Sequence, residues 1–138
     1  MLSRPASVAL AATDFATAAL IGCGVFVALP IRWFPVDVVA VLLAALELLS
    51  GVALIGRLRW SLRFSAFVAA TALGIGLVLV TTLAVTASWL SGVYGPVGRG
   101  GALILVLVAA LTLPYLVAIP AAKLLWVWRL RSKPESSR

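Results

Sequence analysis

Histidine is absent from the 138 residues, and there is one cysteine, Cys23, and one methionine, Met1. Haem ligation through His, structural zinc and iron–sulfur clusters all need His or several Cys, so this chain alone offers none of them a ligand set. A Ser–His or Cys–His nucleophile fails on the same count. A single cysteine makes no internal disulfide and says nothing of the redox compartment. Charge is also scarce, at 11% of residues against about 25% in soluble domains. These absences predict no catalytic set, no metal site and no resident cofactor.

What fills the chain instead is apolar. Hydrophobic residues make up 64% and the mean hydropathy is +1.20, where an ordinary soluble domain is about 45–50% apolar. Such a chain cannot keep its surface wet, so it reads as an integral membrane protein. Its formal charge of +7, from eleven Lys and Arg against four acids, fits cytoplasmic loops and anionic headgroups better than nucleic acid.

A membrane helix takes about 20 largely apolar residues. Four stretches qualify: Ser7–Pro30, Val36–Gly56, Ser65–Leu90 and Ala102–Trp128. The connections Ile31–Pro35, Arg57–Phe64 and Ser91–Gly101 are too short for a soluble domain, and Arg129–Arg138 forms a polar tail. The expectation is an all-α, antiparallel four-helix bundle in a single transmembrane domain, with sequential helices as neighbours. The apolar stretch after Arg4 is longer than a signal peptide's, so the first helix is read as retained. Leu20-Ile21-Gly22-Cys23 resembles a lipobox, but Asp14 would interrupt its apolar core, and Cys23 is read as a small packing residue.

Cations set the threading. Arg4, then Arg57, Arg59 and Arg63, then Arg129, Arg131, Lys133 and Arg138 share one side, while the other two loops hold only Arg32 and Arg99. The positive-inside rule places both termini in the cytoplasm of a multi-pass protein, as in a bacterial cytoplasmic membrane. The tryptophans agree: Trp33 and Trp89 fall at the outer interface, Trp60, Trp126 and Trp128 at the inner one.

Away from the span ends lie three ionisable residues: Asp14, Glu47 and Lys123. Each costs about 2.5–3.5 kcal/mol on insertion scales. From a rise of about 1.5 Å per residue the acids lie roughly 13–15 Å deep and Lys123 roughly 9 Å, within reach of one leaflet depth. Small residues align with the acids: Ser7, Ala11, Asp14, Ala18 and Gly22, then Ala40, Ala44, Glu47 and Gly51. A third stripe is Ala70, Gly74, Thr81, Ala84 and Ser88. Small residues let membrane helices approach closely, so both acids belong on packing seams. The three groups either pair to hold the bundle, bind a proton or ligand, or face another subunit. Two acids could also suggest an intramembrane aspartyl protease, but four short-looped spans leave it little room.

Pro114 and Pro120 interrupt the fourth span and free the carbonyls of Ala110 and Leu116, which predicts a bend there. The glycine-rich run Ser91–Gly101 lacks the Lys-Ser/Thr ending of a phosphate loop and follows no strand. It is read as a tight turn using glycines at positive φ.

The run Glu47-Leu48-Leu49-Ser50-Gly51-Val52-Ala53-Leu54-Ile55-Gly56-Arg57 resembles the DoxX-like proteins, small four-helix membrane proteins. The first span lacks the Phe…Gly…Lys ending of that pattern, and the fourth carries prolines. The resemblance implies that Glu47 matters and, in some members, a quinone-linked redox role. Three functions therefore stand as expectations. The first is a non-catalytic subunit or accessory factor meeting other membrane subunits or a second copy. The others are a small proton-coupled carrier using Asp14 and Glu47, and a DoxX-like subunit binding quinone beside Glu47.

Overall fold

The computed structural model describes residues 4–28 and 34–132, with side chains described in 4–27 and 34–129. Trp33 and residues 133–138 of the tail lie outside them. Every element among the described residues is helical. Helix α1 (Arg4–Cys23) runs into a π-helical turn at Gly24–Ala28, and α2 covers Phe34–Ile55. Helix α3 covers Ser61–Leu113, a second π-helical turn covers Pro114–Ala118, and α4 covers Ile119–Ser132. Three stretches are long and apolar enough to cross a membrane: Arg4–Val27, Phe34–Ile55 and Ser61–Arg129.

Local chemistry explains the ends. Pro35 sits in the first turn of α2, where its missing N–H costs no helical bond, and Asp37 beside it complements the positive end of the dipole. At the other end Arg57 adopts a φ of 52°. The Arg57 N–H donates to the Leu54 carbonyl at 3.2 Å and the Leu58 N–H to the Ala53 carbonyl at 3.3 Å. This bonding is a Schellman cap, built with arginine where glycine is usual. The Ser61 N–H donates to the Leu58 carbonyl, so the next helix begins inside the expected loop Arg57–Phe64.

The third connection differs more. Residues 91–101 are helical apart from Gly95, whose φ of 55° and ψ of −131° are not. One glycine at positive φ replaces the expected turn of several, because Pro96, fixed near helical φ, restarts the helix at once. A straight helix would hold Gly76 and Leu116 about 60 Å apart. They touch instead: a Cβ on Gly76 would lie 2.8 Å from the Leu116 carbonyl carbon and meet its oxygen. The chain doubles back at Gly95, and residues 61–94 pack on the return limb from residue 96. Close beyond the bend, a Cβ at Gly98 would collide with the Leu90 carbonyl, so this position also needs glycine.

The prolines of the return limb act as spacers. Pro114 opens the second π-helical turn, closed by the Ile119 N–H donating to the Pro114 carbonyl. Pro120 supplies no N–H to the Leu116 carbonyl, and that oxygen faces the Cα of Gly76. The Tyr115 side chain reaches from the second π-helical turn to the first, with its hydroxyl against Gly24.

Two apolar clusters join the helices. Ile21, Ala40, Leu43, Ala72 and Leu116 form one, with Val25, Ala44, Ile75 and Tyr115 against it. Leu10, Ala11 and Leu54 form the other, with Phe15 and Leu62. Most of the stripes expected on α1 and α2 face these contacts: Ser7, Ala11, Asp14 and Ala18 are buried, as are Ala40, Glu47 and Gly51, while Gly22 and Ala44 are half-buried. The stripe expected on α3 does not. Ala70, Gly74, Thr81, Ala84 and Ser88 are exposed, and the buried face is Ser61, Ser65, Val68, Ala69, Ala72 and Gly76. Small residues surround this helix on several sides, so spacing alone did not select the face. Cys23 is likewise exposed instead of packed.

Candidate functional site: a buried ionic cluster

Three helices each contribute one ionisable side chain to a common point. Asp14 on α1 is 0% exposed, Glu47 on α2 is 2% and Lys123 on α4 is 4%. The Lys123 ammonium is ion-paired with Asp14 Oδ1 and donates a hydrogen bond to it. Glu47 Oε2 lies 3.8 Å from the same Nζ. Both carboxylates thus share one ammonium, with Asp14 the closer partner.

The surrounding sequence makes this convergence possible. Ala11 and Ala18 flank Asp14 by about one turn on either side, so α1 approaches its neighbours closely there. Gly51, one turn from Glu47, lies under the Phe15 ring: a Cβ there would be 2.9 Å from Phe15 Cζ. Ala69 and Ala72 are fully buried on α3. The long Lys123 side chain then supplies the reach that two short acids lack.

Most hydroxyl groups donate within their own helix, including the buried ones of Ser7, Thr17 and Thr112. Those of Thr71, Thr82, Thr86 and Ser88 are exposed and donate to carbonyls four residues earlier, at 2.8–3.0 Å. A hydroxyl satisfied in this way is tolerated among apolar surroundings. Ser50 and Ser65 are fully buried, yet their Oγ atoms have no hydrogen-bond partner, and neither does Asp14 Oδ2. Ser50 lies one turn from Glu47 on the same face of α2. Neither serine had been singled out in the sequence. The three-residue spacing from Glu47 was a signal for Ser50, whereas Ser65 needed the true face of α3.

The other sequence candidates are elsewhere. Trp60, Trp89, Trp126 and Trp128 are exposed, at 51%, 58%, 38% and 67%, and take no part in the cluster. Pro114 and Pro120 shape the return limb without entering the cluster. Chemically, the cluster can hold helices together and can bind or release protons. No group of three or more metal-ligating side chains occurs among the described residues.

No family model, curated protein or solved structure matches this chain.

Proposed function

We propose that this chain is a four-span, multi-pass membrane protein that serves as a non-catalytic subunit or accessory factor of a larger membrane assembly. In this reading the two limbs of α3 and its continuation are separate antiparallel spans. Both termini and the Arg57–Arg63 segment are cytoplasmic, in a bacterial type of cytoplasmic membrane.

The observation that carries the reading is the unequal cover of the spans. In their most apolar windows the first two spans are 33% and 39% buried, and the third stretch only 11%. About 27 Å of helix, residues 77–94, lies beyond Gly76. In α2 only about 9 Å, residues 34–39, lies beyond Ala40 at the same contact level. The far half of the hairpin therefore rests on its own return limb, with Val85, Trp89, Leu103, Leu107 and Leu111 exposed. The occupant proposed for this face is a helix of another membrane subunit, which would bury a surface that α1 and α2 are too short to reach. Meanwhile the chain's own intramembrane charges are engaged with one another, which suits a scaffold.

Two experiments test this. Gentle solubilisation after membrane crosslinking should recover another membrane chain at stoichiometric yield, linked to a photo-reactive residue at Leu103 or Leu107. Recovery of this chain alone, with lipid as the sole adduct at both positions, overturns the subunit reading. For topology, with Cys23→Ser as background, a cysteine at the exposed Gly100 should be labelled from outside and one at the exposed Arg59 only after permeabilisation. The reverse pattern overturns the orientation.

A further inference from the structure

The charges of the buried cluster do not balance. Two carboxylates, Asp14 and Glu47, face a single ammonium, Lys123, and all three are within a few per cent of complete burial. Helix α3, the remaining element packed here, has no titratable side chain between Arg63 and Tyr94. On α1 the nearest other charge is Arg4, on α2 Asp37 and on α4 Arg129, each at or near a helix end. An uncompensated charge in such a place is strongly disfavoured, and a group so placed neutralises instead.

We propose that the cluster is a proton-binding site in which Asp14 and Glu47 together hold one proton beside the Lys123 ammonium. Both acids contact the same Nζ, which puts their nearest oxygens no more than about 6 Å apart, the range in which one ionisation governs the other. The central cation position is already filled by the ammonium, so the missing positive charge is a proton and not a metal ion. The open polar atoms support this independently. Asp14 Oδ2 and, one turn from Glu47 on α2, Ser50 Oγ are both fully buried without a hydrogen-bond partner; a carboxylic proton and the groups that relay it need such acceptors and donors. The contrast with the self-satisfied hydroxyls of Thr82, Thr86 and Ser88 shows that open hydroxyls are not the rule in this chain. The site is thus neutral as a unit, and its protonation state follows the number of acids present. The inference rests on the burial of the cluster and is independent of which partners the chain has.

The test is infrared difference spectroscopy of the full chain in lipid nanodiscs near neutral pH, counting protonated carboxyl groups by their C=O band and its shift in D2O. The expected count is one per chain, unchanged by Asp37→Asn and by exchanging KCl for NaCl. Asp14→Asn and Glu47→Gln should each abolish the band, because the remaining acid then balances Lys123. Lys123→Met should raise the count to two. A wild-type chain without a protonated carboxyl overturns the proposal, as does a band that persists in either amide variant. A band lost on adding NaCl at constant pH also overturns it, by giving the site to a metal cation. The two isosteric amide variants decide the matter even where Lys123→Met does not fold.

Discussion

Replacing Gly76 by alanine tests the contact between the first limb of α3 and the second π-helical turn on the return limb. The new methyl carbon would lie 2.8 Å from the Leu116 carbonyl carbon and 2.9 Å from Leu116 Cβ, and would also collide with the carbonyl oxygen. Carbon atoms in contact rest about 3.5–4.0 Å apart. Two of the three obstacles are backbone atoms, so relief requires moving a limb and not turning a side chain. Overpacking of this kind costs about 1–3 kcal/mol. The internal control is Gly74→Ala, two residues away on the same helix, where a Cβ meets nothing within 4 Å. Both substitutions gain the same helix propensity, up to about 1 kcal/mol, so their difference isolates the steric effect. Reversible denaturation in detergent should therefore find Gly76→Ala about 1–3 kcal/mol less stable than Gly74→Ala. Equal stability of the two variants would refute the hairpin geometry.

Two further substitutions probe neighbouring features. Gly95→Ala forces a side chain onto a φ of 55° and a ψ of −131°, a strain worth about 1–3 kcal/mol. The same denaturation assay should register that loss, whereas Gly92→Ala, with nothing within 4 Å of its Cβ, should lose nothing. Gly51→Ala should cost about 1 kcal/mol by pressing on the tip of the Phe15 ring. Phe15→Leu in the same chain should recover most of it, and a purely additive double variant would show that the two residues do not touch.

Much of this arrangement was legible in the sequence because long apolar helices leave a sparse polar code. Asp14, Glu47 and Lys123 could be placed at similar depth by counting residues, and the small-residue stripes through Asp14 and Glu47 identified the buried faces of α1 and α2. The face of α3 escaped because Ala, Gly, Thr and Ser occur around most of its circumference, so several stripes satisfy the same spacing. The Ser91–Gly101 segment was legible as a turn, but which of its glycines makes it was not. Its glycines permit a turn but do not compel one, and Pro96 lets a single residue, Gly95, complete the reversal. The π-helical turn after Pro114 had no local signature beyond the proline itself. The cap at Arg57 ran against the preference for glycine at that position, which hid it. Both acids pair with Lys123, and Asp14 is the closer partner.

The central claim is that two acids share one buried lysine, so that either acid suffices to hold it and the loss of both does not. Unfolding free energies of Asp14→Asn, Glu47→Gln, their double variant and the triple variant with Lys123→Met test it directly. Each single change should be mild, since the other carboxylate moves into full contact with the ammonium. The double variant strands Lys123 without a partner and should lose about 3–5 kcal/mol, less whatever snorkelling recovers. Adding Lys123→Met to it should restore most of that loss by removing the stranded charge. Such non-additivity is the signature of groups acting as one unit. A double variant no worse than the sum of its singles, with no recovery in the triple, would contradict the account.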